Sequence, residues 1–324
     1  MQRFLNSSFN IGSLQLPNRL IQGPLAGFSC APFRQLYYQF LPPAYCVSEM
    51  ISAYDVLHKH QTNSRYLFRA PEEKRLCYQL AGHDPYIMAQ ASQQLEAMGA
   101  DIIDINSGCP KAKIRKKKAG SALMDDPLQL CAIISAMRQA ITIPLTVKIR
   151  IYGDDRDLNL AKAIEQAGAD ALIVHGRRWT TDYDTPSDIR HLGKIKHAVR
   201  IPVIANGDIA DASSLADAIA YSGCDAYMIS RAGCGHPWLY QALLTGTVMS
   251  DKALRRRCFM DHLQGLSQLE SEFQAVLQSK TLVRYYFGKN IPSQKLNEFY
   301  ALQRLLDIEN YLTQLEDATA AINP

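Results

Sequence analysis

A cysteine in the turn Asn106-Ser107-Gly108-Cys109-Pro110 has the setting of a proton donor. The preceding glycine lets the backbone pass close to a ligand, and the following proline fixes the turn. A thiol near its ordinary pKa of about 8.5 stays protonated at neutral pH and can act as an acid. The alternative is an inert packing residue, which most cysteines are. The position in a loop, followed at once by basic residues, favours the acid.

The basic residues directly behind Cys109 suggest an anionic partner. They are Lys111, Lys113, Arg115, Lys116, Lys117 and Lys118. A charge run of this kind is often only a solvated loop. Beside a candidate acid it favours an anionic polymer instead. The net charge of the whole chain, +4, adds little to this argument.

Polar residues at the ends of apolar segments are the next candidates. They are Gln79, Asn106, Lys148, Arg150, His175 and Asn206. Lys148 could be a Schiff-base nucleophile, a cation that faces the anionic edge of a reduced flavin, or a solvated charge. His175 could serve as an acid, a base or a hydrogen-bond donor.

Two loops have the composition of a phosphate site. They read Asn206-Gly207-Asp208 and Ser230-Arg231-Ala232-Gly233. Backbone amides, small residues and one arginine suit a phosphomonoester, although a pair of ordinary turns would look similar. A complete G-x-G-x-x-G motif is missing after Gly233, so a mononucleotide flavin fits better than a resident dinucleotide.

Eight short apolar segments alternate with helical patterns and predict the elements that position these residues. The segments are Arg19–Gln22, Tyr45–Met50, Leu76–Leu80, Ile102–Asn106, Leu145–Ile149, Ala171–His175, Val203–Ala205 and Ala226–Ile229. Several are apolar on both faces, as parallel strands covered by helices are. Eight such units in about 250 residues predict a (β/α)8 TIM barrel, with a doubly wound sheet as the competitor. The active site of such a barrel lies at the carboxyl ends of its strands.

The pattern divides the chain into two predicted domains. Residues 1–245 are assigned to the barrel, with Phe9–Arg19 as a hairpin that caps its floor. Strand patterns stop after about residue 246, and residues 246–324 are predicted to be a helical domain in which Pro292 separates two helices.

Composition excludes several classes of protein. Of the 324 residues, 47% are hydrophobic and 20% charged, so a large core can form. The absence of a long apolar run and of a signal-peptide pattern predicts a cytoplasmic protein without a membrane span. The eight cysteines include no C-x-x-C pair, which predicts reduced thiols and no metal. A monomer is the default expectation.

The chain resembles the tRNA-dihydrouridine synthase family over nearly its whole length. The motifs that carry the resemblance are Pro24-Leu25-Ala26-Gly27, Ser48-Glu49-Met50, Gln79-Leu80-Ala81-Gly82, Asp104–Pro110, Ala119–Leu123, Val147–Arg150, Val174–Arg177, Ile201–Ile209 and Met228–Ala232. The segments Asn10–Leu14 and Ala119–Leu123 are most similar to the bacterial B-type branch.

The resemblance implies an FMN-dependent barrel with a helical tRNA-binding domain. NADPH would reduce the FMN, which would deliver hydride to C6 of a D-loop uracil while Cys109 protonates C5. The implied FMN contacts are Pro24, Leu25, Ala26, Gln79, Lys148, His175, Asn206, Gly207, Asp208, Ser230 and Arg231. The predicted RNA contacts are Asn106, Lys113, Arg115, Lys116, Lys117, Lys118, Arg177, Arg178 and Arg284.

Four positions depart from the usual pattern of that family. Leu25 stands where methionine is usual, Ser230 where glycine is, Arg115 where asparagine is and Arg178 where threonine is. These departures leave the identity of the uridine open. Two other functions stay in view, namely a small-molecule FMN barrel resembling dihydroorotate dehydrogenase and an RNA-binding barrel without catalysis.

Overall fold

A computed structural model describes residues 1–182, 184–247, 251–288 and 291–320, the last six as backbone alone. The chain begins with a short helix, α1 (Gln2–Leu5), and an antiparallel hairpin of β1 (Phe9–Ile11) and β2 (Leu14–Leu16). The hairpin lies within the predicted segment.

Eight parallel strands then close a barrel in the order in which they follow one another along the chain. They are β3 (Leu20–Gln22), β4 (Tyr45–Ser52), β5 (Leu76–Ala81), β6 (Ile102–Ser107), β7 (Leu145–Ile151), β8 (Ala171–Arg178), β9 (Val203–Asn206) and β10 (Ala226–Ile229). The barrel closes where β10 pairs with β3, with Met228 opposite Ile21. This confirms the predicted (β/α)8 fold.

Side chains alternate along each strand between the surrounding helices and the barrel interior. On β7, Leu145, Val147 and Ile149 join the core shared with the helices, so Thr146 and Lys148 point inward. The lower part of the interior is apolar: it contains Phe9, Ile11, Leu16, Ile21, Tyr45, Cys77, Ile102, Ile173, Ile204 and Met228. The hairpin therefore plugs the floor, and the open mouth lies at the carboxyl ends of the strands.

Helices surround this barrel. They are α2 (Ala31–Gln35), α3 (Ala53–His58), α4 (Pro85–Ala97), α5 (Ala112–Arg115), α6 (Pro127–Ala140), α7 (Arg156–Gln166), α8 (Ile189–Ala198), α9 (Ala212–Ser222) and α10 (Leu239–Thr245). Helix α4 begins at Asp84, whose side chain accepts hydrogen bonds from the amides of Tyr86 and Ile87. Such a cap satisfies amides that lack a partner within the helix.

Among the described residues that follow the barrel, the helices are α11 (Lys252–Leu269), α12 (Glu272–Phe287), α13 (Ser293–Ala301) and α14 (Leu305–Ala320). As predicted, Pro292 precedes a new helix. Helix α11 packs so closely on α2 that a Cβ atom at Gly265 would stand 2.9 Å from the Cβ of Pro32. The domain division at residues 245 and 246 stays a prediction, and residues 248–250, 289–290 and 321–324 of the second domain lie outside the described part of the chain.

Two searches of the described residues bear on the class of protein. No helix within these ranges is both long and apolar enough to cross a membrane. In the same part of the chain, no group of three or more histidine, cysteine, aspartate or glutamate residues could hold a metal ion.

Candidate active site

The inward-facing residues change from apolar to polar towards the mouth of the barrel. Going up the strands, Cys77 is followed by Gln79, Ile102 by Asp104 and Asn106, Ile173 by His175, and Ile204 by Asn206. The strand register places Asn106 beside Lys148 and His175 beside Asn206. The structure therefore brings together five residues that the sequence nominated: Gln79, Asn106, Lys148, His175 and Asn206.

One prediction about these positions is wrong in detail. Lys148 and Gln79 do not end their strands, because β7 continues to Ile151 and β5 to Ala81. The extra residues form ladder pairs with neighbouring strands, such as Ser52 with Ala81. Lys148 thus projects from the wall of the mouth rather than from its rim.

The turn that carries Cys109 is fastened to the barrel by its backbone. The amides of Gly108 and Cys109 donate to Oδ1 of Asn106 at 3.2 and 3.0 Å. The carbonyl of Cys109 accepts from the amide of Ser121 at 3.0 Å. Nearby, Gly120 has φ of 64°, and a Cβ atom there would stand 2.7 Å from that carbonyl oxygen. Glycine is therefore required at position 120 for the loop to fold back against the cysteine.

The Cys109 side chain differs from most other thiols of the chain in its exposure. Among the eight cysteines, Cys109 and Cys131 are half-buried and the other six are buried. Burial raises the pKa of buried thiols such as Cys30, to about 11. Cys109 therefore combines a partly accessible thiol with a fixed backbone.

A carboxyl group and an ammonium group lie on the neighbouring strands β6 and β7 beneath this turn. Burial raises the pKa of Asp104 to about 7, against the opposing effects of hydrogen bonds from Thr146 and Gln79 and the charge of Lys148. Burial also lowers the pKa of Lys148 to about 8, although the carboxylate of Asp104 works against this. Burial and the charge of Asp104 therefore act on the pKa of Lys148 in opposite directions.

His175 is neutral at the mouth. Burial and the cations Lys148, Arg150, Arg177 and Arg231 hold its pKa well below the ordinary range of histidine. A neutral imidazole can donate from one ring nitrogen and accept at the other. Of the roles open to it, hydrogen bonding therefore fits better than that of a general acid.

The two predicted phosphate loops meet at one side of the mouth. Gly207 has φ of 121° and Asp208 of 54°. The carboxylate of Asp208 accepts from Arg177 at 2.5 Å and from the amide of Ser187 at 2.9 Å, and Arg231 lies 3.6 Å away. The hydroxyl of Ser187 is buried without a hydrogen-bond partner among the described residues. A buried polar atom of this kind usually has a partner, so this side of the mouth suits a polar ligand.

Ser230, a departure from the family pattern, occupies space beside the first of the barrel loops. A Cβ atom at Gly23 would stand 2.4 Å from its hydroxyl oxygen. The serine hydroxyl therefore fills the gap that the missing side chain of Gly23 leaves.

Of the residues nominated for RNA contact, Asn106 is buried and holds the Cys109 turn, and the others fall into two groups. Lys113, Lys116, Lys117, Lys118, Arg178 and Arg284 are exposed. Arg115 is held by neighbours: it pairs with Asp125 at 2.7 Å and lies 3.7 Å from the ring centre of Trp179. Arg177 is only 3% exposed beneath Asp208. Neither arginine is placed as a surface cation, and their contact with RNA stays a prediction.

The model of the dihydrouridine synthase family matches residues 21–320. The chain belongs to this family. It is 41% identical over 292 residues to tRNA-dihydrouridine synthase B of Pseudomonas aeruginosa, covering 87% of both chains. It is also 34% identical over 315 residues to tRNA-dihydrouridine synthase B of Vibrio vulnificus, covering 93% of this chain and 98% of that one. The resemblance stated from the motifs is thereby confirmed.

Solved structures of proteins with other names also contain this barrel. A morphinone reductase mutant in complex with tetrahydroNAD superposes with a TM-score of 0.55 at 16% identity, covering 76% of this chain and 92% of that one. An old yellow enzyme homologue from Zymomonas mobilis gives a TM-score of 0.55 at 13% identity, covering 76% and 94%. At such identities these likenesses establish the fold alone.

In this dihydrouridine synthase, the loop after β3 is held by an arginine that the sequence analysis did not single out. Arg65 donates to Glu49 at 2.6 Å and to the carbonyl of Gly27 at 2.8 Å. The other oxygen of Glu49 accepts from the amide of Gly27 at 2.6 Å. The motif Ser48-Glu49-Met50 was a signal for the glutamate, but nothing near Arg65 in sequence points to its partners.

The same arginine reaches the C-terminal helices. It donates to Glu270 at 2.5 Å and to Gln278 at 3.0 Å. Gln278 also donates to the carbonyl of Gly27 at 2.8 Å. The loop that contains Pro24, Leu25 and Ala26 is therefore fixed by both parts of the chain.

Replacing Arg65 with methionine is expected to destabilise the protein by about 3 kcal/mol, because it leaves the buried carboxylate of Glu49 without its cation. Urea denaturation measures this change. The matched control is Arg304→Met, which removes an exposed pair with Asp307 and should cost about 1 kcal/mol or less. Equal losses for the two variants would contradict the special role of Arg65.

Proposed function

We propose that this dihydrouridine synthase reduces the C5=C6 bond of a uridine in the D-loop of tRNA, with FMN as its cofactor and NADPH as the reductant. The observation that carries the proposal is the position of Cys109. Cys109 is half-buried, and its turn joins Asn106 of the polar mouth to the run of exposed lysines that follows it. An acid at that place can meet a base whose phosphates are bound next to it.

The residues of the mouth fit a mononucleotide flavin. Asn206, Gly207, Asp208, Ser230 and Arg231 would hold the phosphate, where the left-handed backbone and the unpartnered Ser187 hydroxyl favour a polar ligand. Pro24, Leu25, Ala26, Gln79 and His175 would contact the ring system. Lys148, on the wall of the mouth beside Asn106, would face the anionic edge of that ring.

The chemistry divides between the cofactor and the protein. Reduced FMN, when bound, supplies the hydride that C6 of the uracil receives. Cys109 holds the proton that C5 receives, so the ring gains one hydride and one proton and the thiol is left as a thiolate. Asn106 holds the turn, and His175 offers a neutral hydrogen-bonding ring at the same mouth.

Binding of tRNA is supported by the charges outside the mouth. Lys113, Lys116, Lys117 and Lys118 are exposed beside Cys109, and Arg284 is exposed on α12. A uridine in a loop can leave its stack at modest cost and reach the mouth. The relatives named above are tRNA-dihydrouridine synthases B. We further propose that residues 246–324 form a helical tRNA-binding domain and that the enzyme acts as a monomer in the cytoplasm.

The test is a reconstituted reaction. Purified protein should take up FMN, as judged by its visible absorbance, and with NADPH should form dihydrouridine in an unmodified tRNA transcript, as judged by mass spectrometry of nucleosides. Failure to take up FMN would remove the flavin from the proposal. Reduction of free pyrimidines in preference to tRNA would favour a small-molecule barrel, which leaves the exposed lysines without a role.

A further inference from the structure

A continuous chain of hydrogen bonds leads from the interior of the barrel to the Cys109 turn. Thr146 donates to Oδ1 of Asp104 at 2.6 Å, and Nε2 of Gln79 donates to Oδ2 at 2.8 Å. Nδ2 of Asn106 then donates to Oε1 of Gln79 at 2.7 Å. The chain ends where Oδ1 of Asn106 accepts from the amide of Cys109.

The backbone at the Cys109 end fixes the direction of every bond in this chain. Amide groups of the backbone can only donate, so Asn106 must present its oxygen to them. Its nitrogen then faces Gln79, which must present an oxygen in turn. The nitrogen of Gln79 is left facing Asp104, whose Oδ2 must accept. Reversing one amide would set two donors against each other in a buried place, which costs about 1–3 kcal/mol.

We propose that Asp104 is a positioning residue, which supplies the terminal acceptor that orients Gln79 and Asn106 and thereby fixes the turn that carries Cys109. The proposal rests on the function above, in which Cys109 is the acid. Asp104 is 2% exposed and lies level with Gln79 in the barrel, below Asn106. Its two oxygens accept from Thr146 and Gln79. It therefore acts through its neighbours.

The charge of Asp104 has a second consequence within the same cluster. The titratable groups that face it are Lys148 on β7, Cys77 on β5 and Tyr45 on β4. Its carboxylate raises the pKa of Lys148, whereas burial and the charge of Arg150 lower it, and the net pKa is about 8. Removing the charge of Asp104 while keeping its hydrogen-bond acceptor therefore separates the orientation of Gln79 and Asn106 from the effect on the pKa of Lys148.

Two substitutions make this separation. Asp104→Leu has a similar volume and no acceptor, and is expected to lower kcat about 10- to 100-fold because the catalytic turn loses its fixed geometry. Asp104→Asn can still present an oxygen to Gln79 and is expected to recover most of kcat at neutral pH. Since it lacks the carboxylate, the pKa of Lys148 falls, and the alkaline limb of the kcat profile should move to lower pH.

A measurement without flavin reports on the turn directly. Alkylation of Cys109 by iodoacetamide, followed by peptide mass spectrometry in the FMN-free protein, should be faster in Asp104→Leu than in the wild type and nearly unchanged in Asp104→Asn. Cys131, also half-buried, provides an internal reference in each sample. Wild-type rates of alkylation in Asp104→Leu would overturn the proposal, as would an Asn variant as damaged as the Leu variant.

A third variant covers the case in which Asp104→Leu does not fold. Gln79→Leu interrupts the same hydrogen-bond chain between Asp104 and Asn106, so it should speed alkylation of Cys109 as Asp104→Leu does, and an unchanged rate would count against the hydrogen-bond chain. Cys109→Ala assayed in parallel distinguishes the two proposals. Wild-type activity in Cys109→Ala would show that Cys109 is not the acid. The alkylation rates of Cys109 in the Asp104 variants test the positioning role of Asp104 without depending on turnover.

Discussion

Cys109→Ala is expected to lower the rate of uridine reduction by about 10²- to 10⁴-fold, the usual contribution of a positioned general acid. Its affinity for FMN should stay close to that of the wild type, because the residues proposed to hold the phosphate lie on the loops after β9 and β10. Single-turnover formation of dihydrouridine by the reduced protein measures the chemical step. Fluorescence quenching measures FMN binding.

The control for this substitution is Cys131→Ala. Cys131 is also half-buried but lies on α6, outside the barrel, where its thiol contacts the carbonyl of Ala163. It should reduce uridine at the wild-type rate. Undiminished turnover in Cys109→Ala would remove Cys109 as the acid, and equal losses in both variants would indicate a general effect of thiol removal.

Combined replacement of Lys116, Lys117 and Lys118 with alanine is expected to flatten the salt dependence of tRNA binding. Each phosphate contact contributes about 0.7–0.9 to the slope of log K against log salt concentration, so three contacts predict a decrease of about 2–3. The three side chains are exposed, so little stability should be lost. Binding isotherms at several salt concentrations measure the slope.

A matched triple variant separates local contacts from net charge. Lys74, Lys162 and Lys194 are also exposed, the last two on the outer helices α7 and α8. Their replacement removes the same charge and should leave the slope nearly unchanged. An unaltered slope in the Lys116–Lys118 variant would make that run a solvated loop.

The barrel was predictable because its strands are short, apolar and regularly spaced. Each predicted segment overlaps one strand of the closed barrel. The ends of the strands were less accessible to prediction. Ile151 and Arg178 extend β7 and β8 beyond the predicted limits because they pair with each other, and such pairing depends on a neighbouring strand rather than on local sequence.

The candidate site was predictable where residue type and loop position sufficed, as for Cys109 and Asn206. Asp104 was quoted only as part of a motif, since its importance lies in partners on β5 and β7. Arg115, in contrast, was nominated for RNA contact from the sequence, although its structural setting differs from that of the neighbouring lysines. Within a run of basic residues it resembles its neighbours, but Asp125 and Trp179 hold its guanidinium.

The contacts that hold the loop after β3 limit which C-terminal helices can be exchanged between related enzymes. The carbonyl of Gly27 accepts from Arg65 of the barrel and from Gln278 of α12, while Glu270 receives the same arginine. A chimera that joins this barrel to a foreign set of C-terminal helices would keep the loop. It would lose Glu270, which accepts from Arg65, and Gln278, which donates to Gly27. Compatible grafts are therefore those that supply a carboxylate and an amide at these two positions.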